Sequence, residues 1–257
     1  MKVLSIANQK GGVGKSTLAV HLAYAATQLG KRVLLVDMDK QASLSITFEN
    51  ETATQGISAS ELFLDVLPSG EPERISDNLS IIRADDDLLA IDKAENEVIR
   101  RPGKAIRTFS KDFDLCLIDT PPLLGIRLMA SLAASDLVLT PVNVGLYEMA
   151  GLADLISTIH VIRTQGFNLR LKHIGILLMK TNNRSKLQAE ALADLRDAYG
   201  DVIYKEQLPE RAAVRTAISE RKPVWLKTSG NGHLQAAKEW KAACMAILDN
   251  VFITANR

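Results

Sequence analysis

Asn8-Gln9-Lys10-Gly11-Gly12-Val13-Gly14-Lys15-Ser16-Thr17 lies directly behind an apolar run (Val3, Leu4, Ile6, Ala7) and ahead of a helical pattern (Leu18, Leu22, Ala25, Leu29). The order is strand, glycine loop, helix N-terminus. Three glycines let the backbone turn inward, so that successive N–H groups from Gly11 to Thr17 point at one spot, where the helix dipole adds positive potential. A spot of this kind binds phosphate. Lys15 is placed to reach the β and γ phosphates of a nucleotide and the Ser16 hydroxyl to ligate Mg²⁺. The usual pattern asks for glycine five residues before Gly14. Gln9 stands there instead, and a second lysine, Lys10, opens the loop.

Outward from this loop, strand-like runs alternate with helical patterns. The candidate strands are 2–7, 33–37, 79–83, 114–119, 136–142 and 173–179. Helical stretches fall near 16–29, 86–100, 126–134, 148–165, 185–199 and 233–250. Such alternation predicts an α/β fold with a doubly wound, mostly parallel sheet and helices on both faces. The strands are nearly continuous in apolar residues, as expected when both faces are covered. Residues 49–77 are the least regular stretch and are read as a loop with one short helix, Ser60 to Leu67. Neither an internal repeat nor a low-complexity tract interrupts the pattern, and 1–257 is read as a single domain.

The chain has 257 residues, 47% of them hydrophobic and 24% charged, with a formal net charge of +1. It holds no run of eighteen apolar residues, the length a membrane-spanning helix needs. The N-terminus enters a strand at once, which leaves no room for a signal peptide, and a cytoplasmic location is expected. The two cysteines, Cys116 and Cys244, fall in apolar patterns and are read as core thiols rather than cluster ligands. The near-neutral total conceals a split. Residues 1–159 carry 15 Lys and Arg against 21 Asp and Glu, whereas residues 160–257 carry 16 against 9. A positive C-terminal portion is an electrostatic footprint for nucleic acid or an anionic surface, or else an accident of solvated helix faces.

Two further sites are aimed at the loop. Strand 33–37 ends in Asp37-Met38-Asp39-Lys40-Gln41, and strand 114–119 ends in Leu117-Ile118-Asp119-Thr120-Pro121-Pro122. In a doubly wound sheet the ligand lies beyond the carboxyl ends of the strands, so all three aspartates face it. Asp119, closing an apolar strand, has the form of a Walker B residue that holds the Mg²⁺ shell, through water because Mg²⁺ dehydrates reluctantly. The proline pair stiffens the loop behind it, which suits a segment that senses the γ-phosphate.

Lys10-Gly11-Gly12-Val13-Gly14-Lys15-Ser16 resembles the deviant Walker A loop, KGGxxGK[ST], of the ParA/MinD superfamily of ATPases. Asp37-Met38-Asp39-Lys40-Gln41 is similar to that family's D-x-D-P-Q motif, with Lys40 in place of proline. The stretch from Asp114 through Pro141-Val142 to Gly151 and the segment from Leu208-Pro209 to Lys222-Pro223-Val224 also match, although Arg221 stands where glycine is usual. The resemblance is closest to small ParA/Soj-type partition ATPases, without the N-terminal helix-turn-helix of longer members. It implies an ATPase with ATP and Mg²⁺ as cofactors and a homodimer that forms on ATP binding. Lys10 would touch the partner's ATP, Asp39 would orient the attacking water and Asp37 would support the metal. Asn182 and Pro209 would lie near adenine.

It also implies non-specific DNA as the matrix, with nucleoid association in the ATP state, and a ParB-like centromere-binding partner that stimulates hydrolysis. Candidate DNA contacts are Arg184, Lys186, Arg211, Arg215, Arg221, Lys222 and Lys227. Arg184 matches an arginine of small ParA proteins, and Ala213 falls at the family's other DNA-binding arginine, flanked by Arg211 and Arg215. The alternative is a MinD-like positioning ATPase acting on a membrane or a protein cargo. That requires a basic amphipathic C-terminal helix. After Lys241 only Arg257 is basic, and Asp249 opposes anionic lipid, so the tail is read as a helix packed on the domain and no membrane partner is expected. A metabolic amidoligase or metallochaperone would need a substrate pocket or cysteine ligands that the sequence does not display.

Overall fold

The computed structural model describes residues 1–49, 56–144, 148–182 and 185–253, with 148–150 as backbone only. Its parallel strands are β1 (Lys2–Ile6), β2 (Val33–Asp37), β4 (Leu79–Ile82), β5 (Leu115–Asp119), β6 (Leu137–Asn143), β7 (Lys172–Thr181) and β8 (Ile203–Pro209), and β3 (Glu73–Ser76) runs antiparallel to β4. The order across the sheet is β3-β4-β2-β5-β1-β6-β7-β8. The chain moves from β1 out to β2 and the β3/β4 pair, returns to β5 beside β1, then winds the other way through β6, β7 and β8. β1 therefore sits at the point where the winding reverses, and the glycine loop leaves its carboxyl end.

Strand alternation sorts the core into two layers. Leu137, Leu4, Leu117, Leu35 and Ile81 are neighbours in register across five strands and face one side. There they meet α1 (Lys15–Gln28), α2 (Ser43–Thr47), α8 (Ala212–Ser219) and α9 (Gly230–Ile253). Ile118, Val36 and Ile82 face the other side, against α4 (Arg101–Thr108) and α5 (Ile126–Ala134). That layer continues through α6 (Glu148–Thr164) to α7 (Lys186–Tyr199). Each fully buried leucine contributes roughly 1.5–3 kcal/mol relative to exposure. Cys116 and Cys244 are free and buried, one in each layer.

The helix expected over 86–100 is not one helix. It breaks into α3 (Leu88–Ile91) and a 3₁₀ turn at Asn96–Arg100. Between them Asp92 is gripped by the Arg127 guanidinium of α5 at 2.6 and 3.0 Å, a tertiary bond that overrides local propensity. The short helix expected from Ser60 to Leu67 shrinks to a 3₁₀ turn, Ser60–Phe63. α9 is longer than its pattern suggested. Its apolar face, including Trp240, Cys244, Ile247 and Val251, is buried against α1 and β8. Among the described residues no helix is long and apolar enough to cross a membrane.

Candidate functional site

The glycine loop turns where only glycine turns cheaply. Gly12 has φ +71° and Gly14 φ +101°, both in the left-handed region, and Gly14 is the residue from which α1 starts. Asn8 sets the entry: its amide donates to the Pro141 carbonyl at 2.7 Å and its oxygen accepts the Lys10 N–H at 2.8 Å. Gly11, Gly12, Val13, Gly14, Lys15, Ser16 and Thr17 then donate no main-chain hydrogen bond among the described residues. Successive N–H groups without an internal acceptor, at a helix N-terminus, form a cradle for an anion.

Lys15 is buried, and its ammonium donates to the Lys10 carbonyl at 3.2 Å. Burial lowers its pKa, while the charges of Asp119 and Asp39 pull the other way. The Lys10 stem lies along Gly151 of α6, and Gln9 donates to Thr158 of the same helix at 2.9 Å. The second lysine is thus laid against its own subunit.

The three aspartates lie close together at the carboxyl ends of β2 and β5. β2 and β5 pair in register, Asp37 beside Asp119. Asp37 accepts from the Ser45 N–H and hydroxyl, both at 2.8 Å, and from the Asp39 N–H at 3.1 Å. Burial nevertheless pushes its carboxyl up to about 6. Asp119 is fully buried, and burial followed by the Asp37 charge pushes it up to about 8. The Ser16 hydroxyl is near enough to draw that value down, yet no donor completes a well-directed hydrogen bond to either Asp119 oxygen among the described residues. Two uncompensated buried oxygens beside a hydroxyl fit a hard divalent cation, which would reverse both carboxylate shifts. Asp39 stands at the mouth with its Oδ1 accepting the Gln41 N–H at 3.1 Å.

The glycine loop, Lys15, Ser16 and Asp39 line a cavity of about 430 Å³ that also takes in Pro122, Leu208, Pro209, Arg211 and Arg215, with Asp37 and Asp119 buried behind it. Asn182 and Pro209 come together on its continuation, since Thr181 pairs with Pro209 across β7 and β8. Sequence reasoning missed the β7 contribution. Met179 Cε lies 2.9 Å from where a Gly14 Cβ would be, and Lys180 Nζ donates to the Gly12 carbonyl at 2.5 Å. It also missed Arg83, which bonds Glu73, the Ser45 carbonyl and the Phe48 carbonyl and so fixes the segment that holds Asp37.

The proposed DNA contacts are more engaged than their sequence suggested. Arg184 lies outside the described residues. Lys186 opens α7 in an exposed position. Arg211 forms a bidentate pair with Glu239 at 2.6 Å, Arg215 meets Glu210 at 3.1 Å, Arg221 contacts Glu49, and Lys222 pairs with Glu220. Arg221 and Lys227 have φ of 54° and 55°. The loop therefore keeps the left-handed conformation that explains the usual glycine, with arginine tolerated in it.

A phosphate cradle, a buried lysine and a Walker B aspartate at the winding reversal of a parallel sheet define a P-loop ATPase. A family model described as an AAA domain matches residues 1–174. An IncC protein of Escherichia coli is 34% identical over 254 residues, covering 94% of this chain and 68% of that protein; for a second IncC protein the chain spans 63% of its length. The sporulation initiation inhibitor protein Soj of Bacillus subtilis is 31% identical over 244 residues, covering 88% of this chain and 90% of Soj. The cobyrinic acid a,c-diamide synthase of Mycobacterium smegmatis, solved with an ATP analogue and magnesium, superposes with a TM-score of 0.80 at 26% identity, over 100% of this chain and 97% of that one. The chain belongs to the ParA/Soj family of partition ATPases.

Proposed function

We propose that the chain binds ATP with Mg²⁺ in the glycine loop, dimerises through it, and in that state holds DNA without sequence preference until a ParB-like partner stimulates hydrolysis. The observation that carries this reading is the row of unengaged N–H groups from Gly11 to Thr17, beside buried Lys15 and the uncompensated Asp119 oxygens. Ser16 and Asp119 would hold the cation, whose charge stabilises the β and γ oxygens during phosphoryl transfer. Lys15 contributes a positive charge inside a partly desolvated site, where it acts more strongly than in water. Asp39, at the mouth, orients the attacking water, and Asp37 is held ready by Ser45. Lys10 lies on the loop rim, from which a flexible stem can reach a second subunit.

Dimerisation and DNA binding are then one linked equilibrium, shifted by ATP in proportion to its differential affinity for the dimer. The partition relatives, at 31% and 34% identity, favour this reading over an amidoligase. A MinD-like use of the tail is disfavoured because the apolar face of α9 is spent on the core. The test is fluorescence anisotropy of an arbitrary-sequence duplex titrated with protein under no nucleotide, ADP, ATP and a non-hydrolysable analogue. Salt-sensitive binding with the triphosphates alone supports the reading; no binding at low salt under any nucleotide removes DNA as the matrix.

A further inference from the structure

We infer that Lys180 is a positioning residue for the phosphate loop: by holding the Gly12 carbonyl it aims the Val13 N–H into the cradle. The inference rests on the nucleotide reading above. Across the β7/β8 pair Met179 faces Leu208 and Thr181 faces Pro209, so Lys180 is an extra residue on the β7 side, a bulge. Its φ of 51° is left-handed, an uncommon state for a residue with a side chain. Bulges beside functional sites re-aim side chains, and this one sends the exposed Lys180 side chain across the glycine loop, where Nζ donates to the Gly12 carbonyl at 2.5 Å. The preceding residue, Met179, abuts Gly14. Two consecutive residues of β7 therefore bear on two glycines of the loop.

What this bond does follows from peptide geometry. The peptide units are trans, so the C=O and N–H of one unit point in opposite directions. Drawing the Gly12 oxygen toward Lys180 turns the Val13 N–H the other way, and the buried Val13 side chain pins the unit from the far end. That unit turns about ψ of Gly12 and φ of Val13, and Gly12, left-handed at φ +71° and without a side chain, is the end freest to let it flip. Lys180 removes that freedom before any ligand arrives.

A positioning role and a direct phosphate contact separate cleanly. Loop amides serve the phosphates that ADP and ATP share, whereas a lysine touching the γ-phosphate would matter to ATP alone. Lys180→Asn removes the amine while tolerating the left-handed backbone; Lys180→Arg keeps a donor. The measurements are calorimetric affinities for MgADP and MgATP, with melting temperatures in the absence of nucleotide. Lys180→Asn is expected to weaken both nucleotides about tenfold, and Lys180→Arg to recover most of that loss. Melting without nucleotide should move by less than about 2 °C. Unchanged affinity for both nucleotides, or a loss confined to ATP, overturns the inference. Failure of the underlying reading is distinguishable, because there the unaltered protein binds neither nucleotide, or Lys15→Ala binds as well as it does, and both conclusions fall together.

Discussion

At the scale of single residues the site depends on a few torsions and charges. Gly14 combines a φ of +101° with a Cβ position 2.9 Å from Met179 Cε. The methionine end can move, but the torsion cannot be relieved by a neighbour. Gly14→Ala should therefore cost about 1–2 kcal/mol of stability and abolish nucleotide binding. Adding Met179→Ala should restore neither, as denaturation and titration calorimetry would show; recovery in the double variant would mean that crowding, not the backbone, is the constraint. Lys15 and Asp39 divide differently. Lys15→Ala should lose productive ATP binding. Asp39→Ala should bind ATP yet stall hydrolysis and leave a persistent dimer by light scattering, and normal turnover there would sink the role assigned to Asp39.

At the scale of elements, α1 joins the phosphate loop to the segment after α8 through His21. Its Nδ1–H donates to the Thr17 carbonyl at 2.7 Å and its Nε2 accepts the Val224 N–H at 3.2 Å, with Trp240 against the ring at 4.3 Å. Burial lowers its pKa to about 4. Below the ordinary histidine value of 6.5 the unfolded chain takes up a proton that the folded chain refuses, so stability present at neutral pH is lost as pH falls toward 4. The loss can reach about 3 kcal/mol. Between pH 7.5 and 5 the melting temperature should fall further in the unaltered protein than in His21→Gln; equal falls would assign the effect to other groups. Elements with strong periodicity, such as β1, β2, β5 and α5, were legible in the sequence because burial alone writes their pattern. Others were hidden. α4 reads Arg101-Pro102-Gly103, two apparent breakers, yet proline is tolerated in a first turn and Gly103 lets α4 approach Ala134, whose Cα lies 3.3 Å from a Cβ built there. β8 is an edge strand with polar Lys205, Glu206 and Gln207, so no apolar run announced it. The loop, Asp37, Asp39 and Asp119 could be read because each follows a strand locally, whereas Lys180 reaches Gly12 from 168 residues away through a bulge.

Across the whole molecule, the acidic first part and the basic last part fold into one sheet, so the excess of positive charge after residue 159 is carried by β7, β8 and the helices around them. Most of the candidate DNA contacts there already have carboxylate partners, and they are not equivalent. Exposed pairs such as Arg215–Glu210 hold little energy and can exchange a carboxylate for a phosphate. Arg211 is different: its bidentate bond to Glu239 ties α8 to α9 and both side chains are largely covered. Arg211→Ala should therefore lower the melting temperature and change the salt dependence of DNA binding little. Lys186 and Lys227 form no ion pair among the described residues, and substituting either should act the other way. If an ATP-bound dimer engages about six phosphates, log K falls with log salt at a slope near −5. Each lysine that contacts phosphate should remove roughly one from that slope per subunit, leaving stability unchanged. A slope altered by Arg211→Ala but not by the lysine substitutions would move the DNA surface inward, onto the α8/α9 seam.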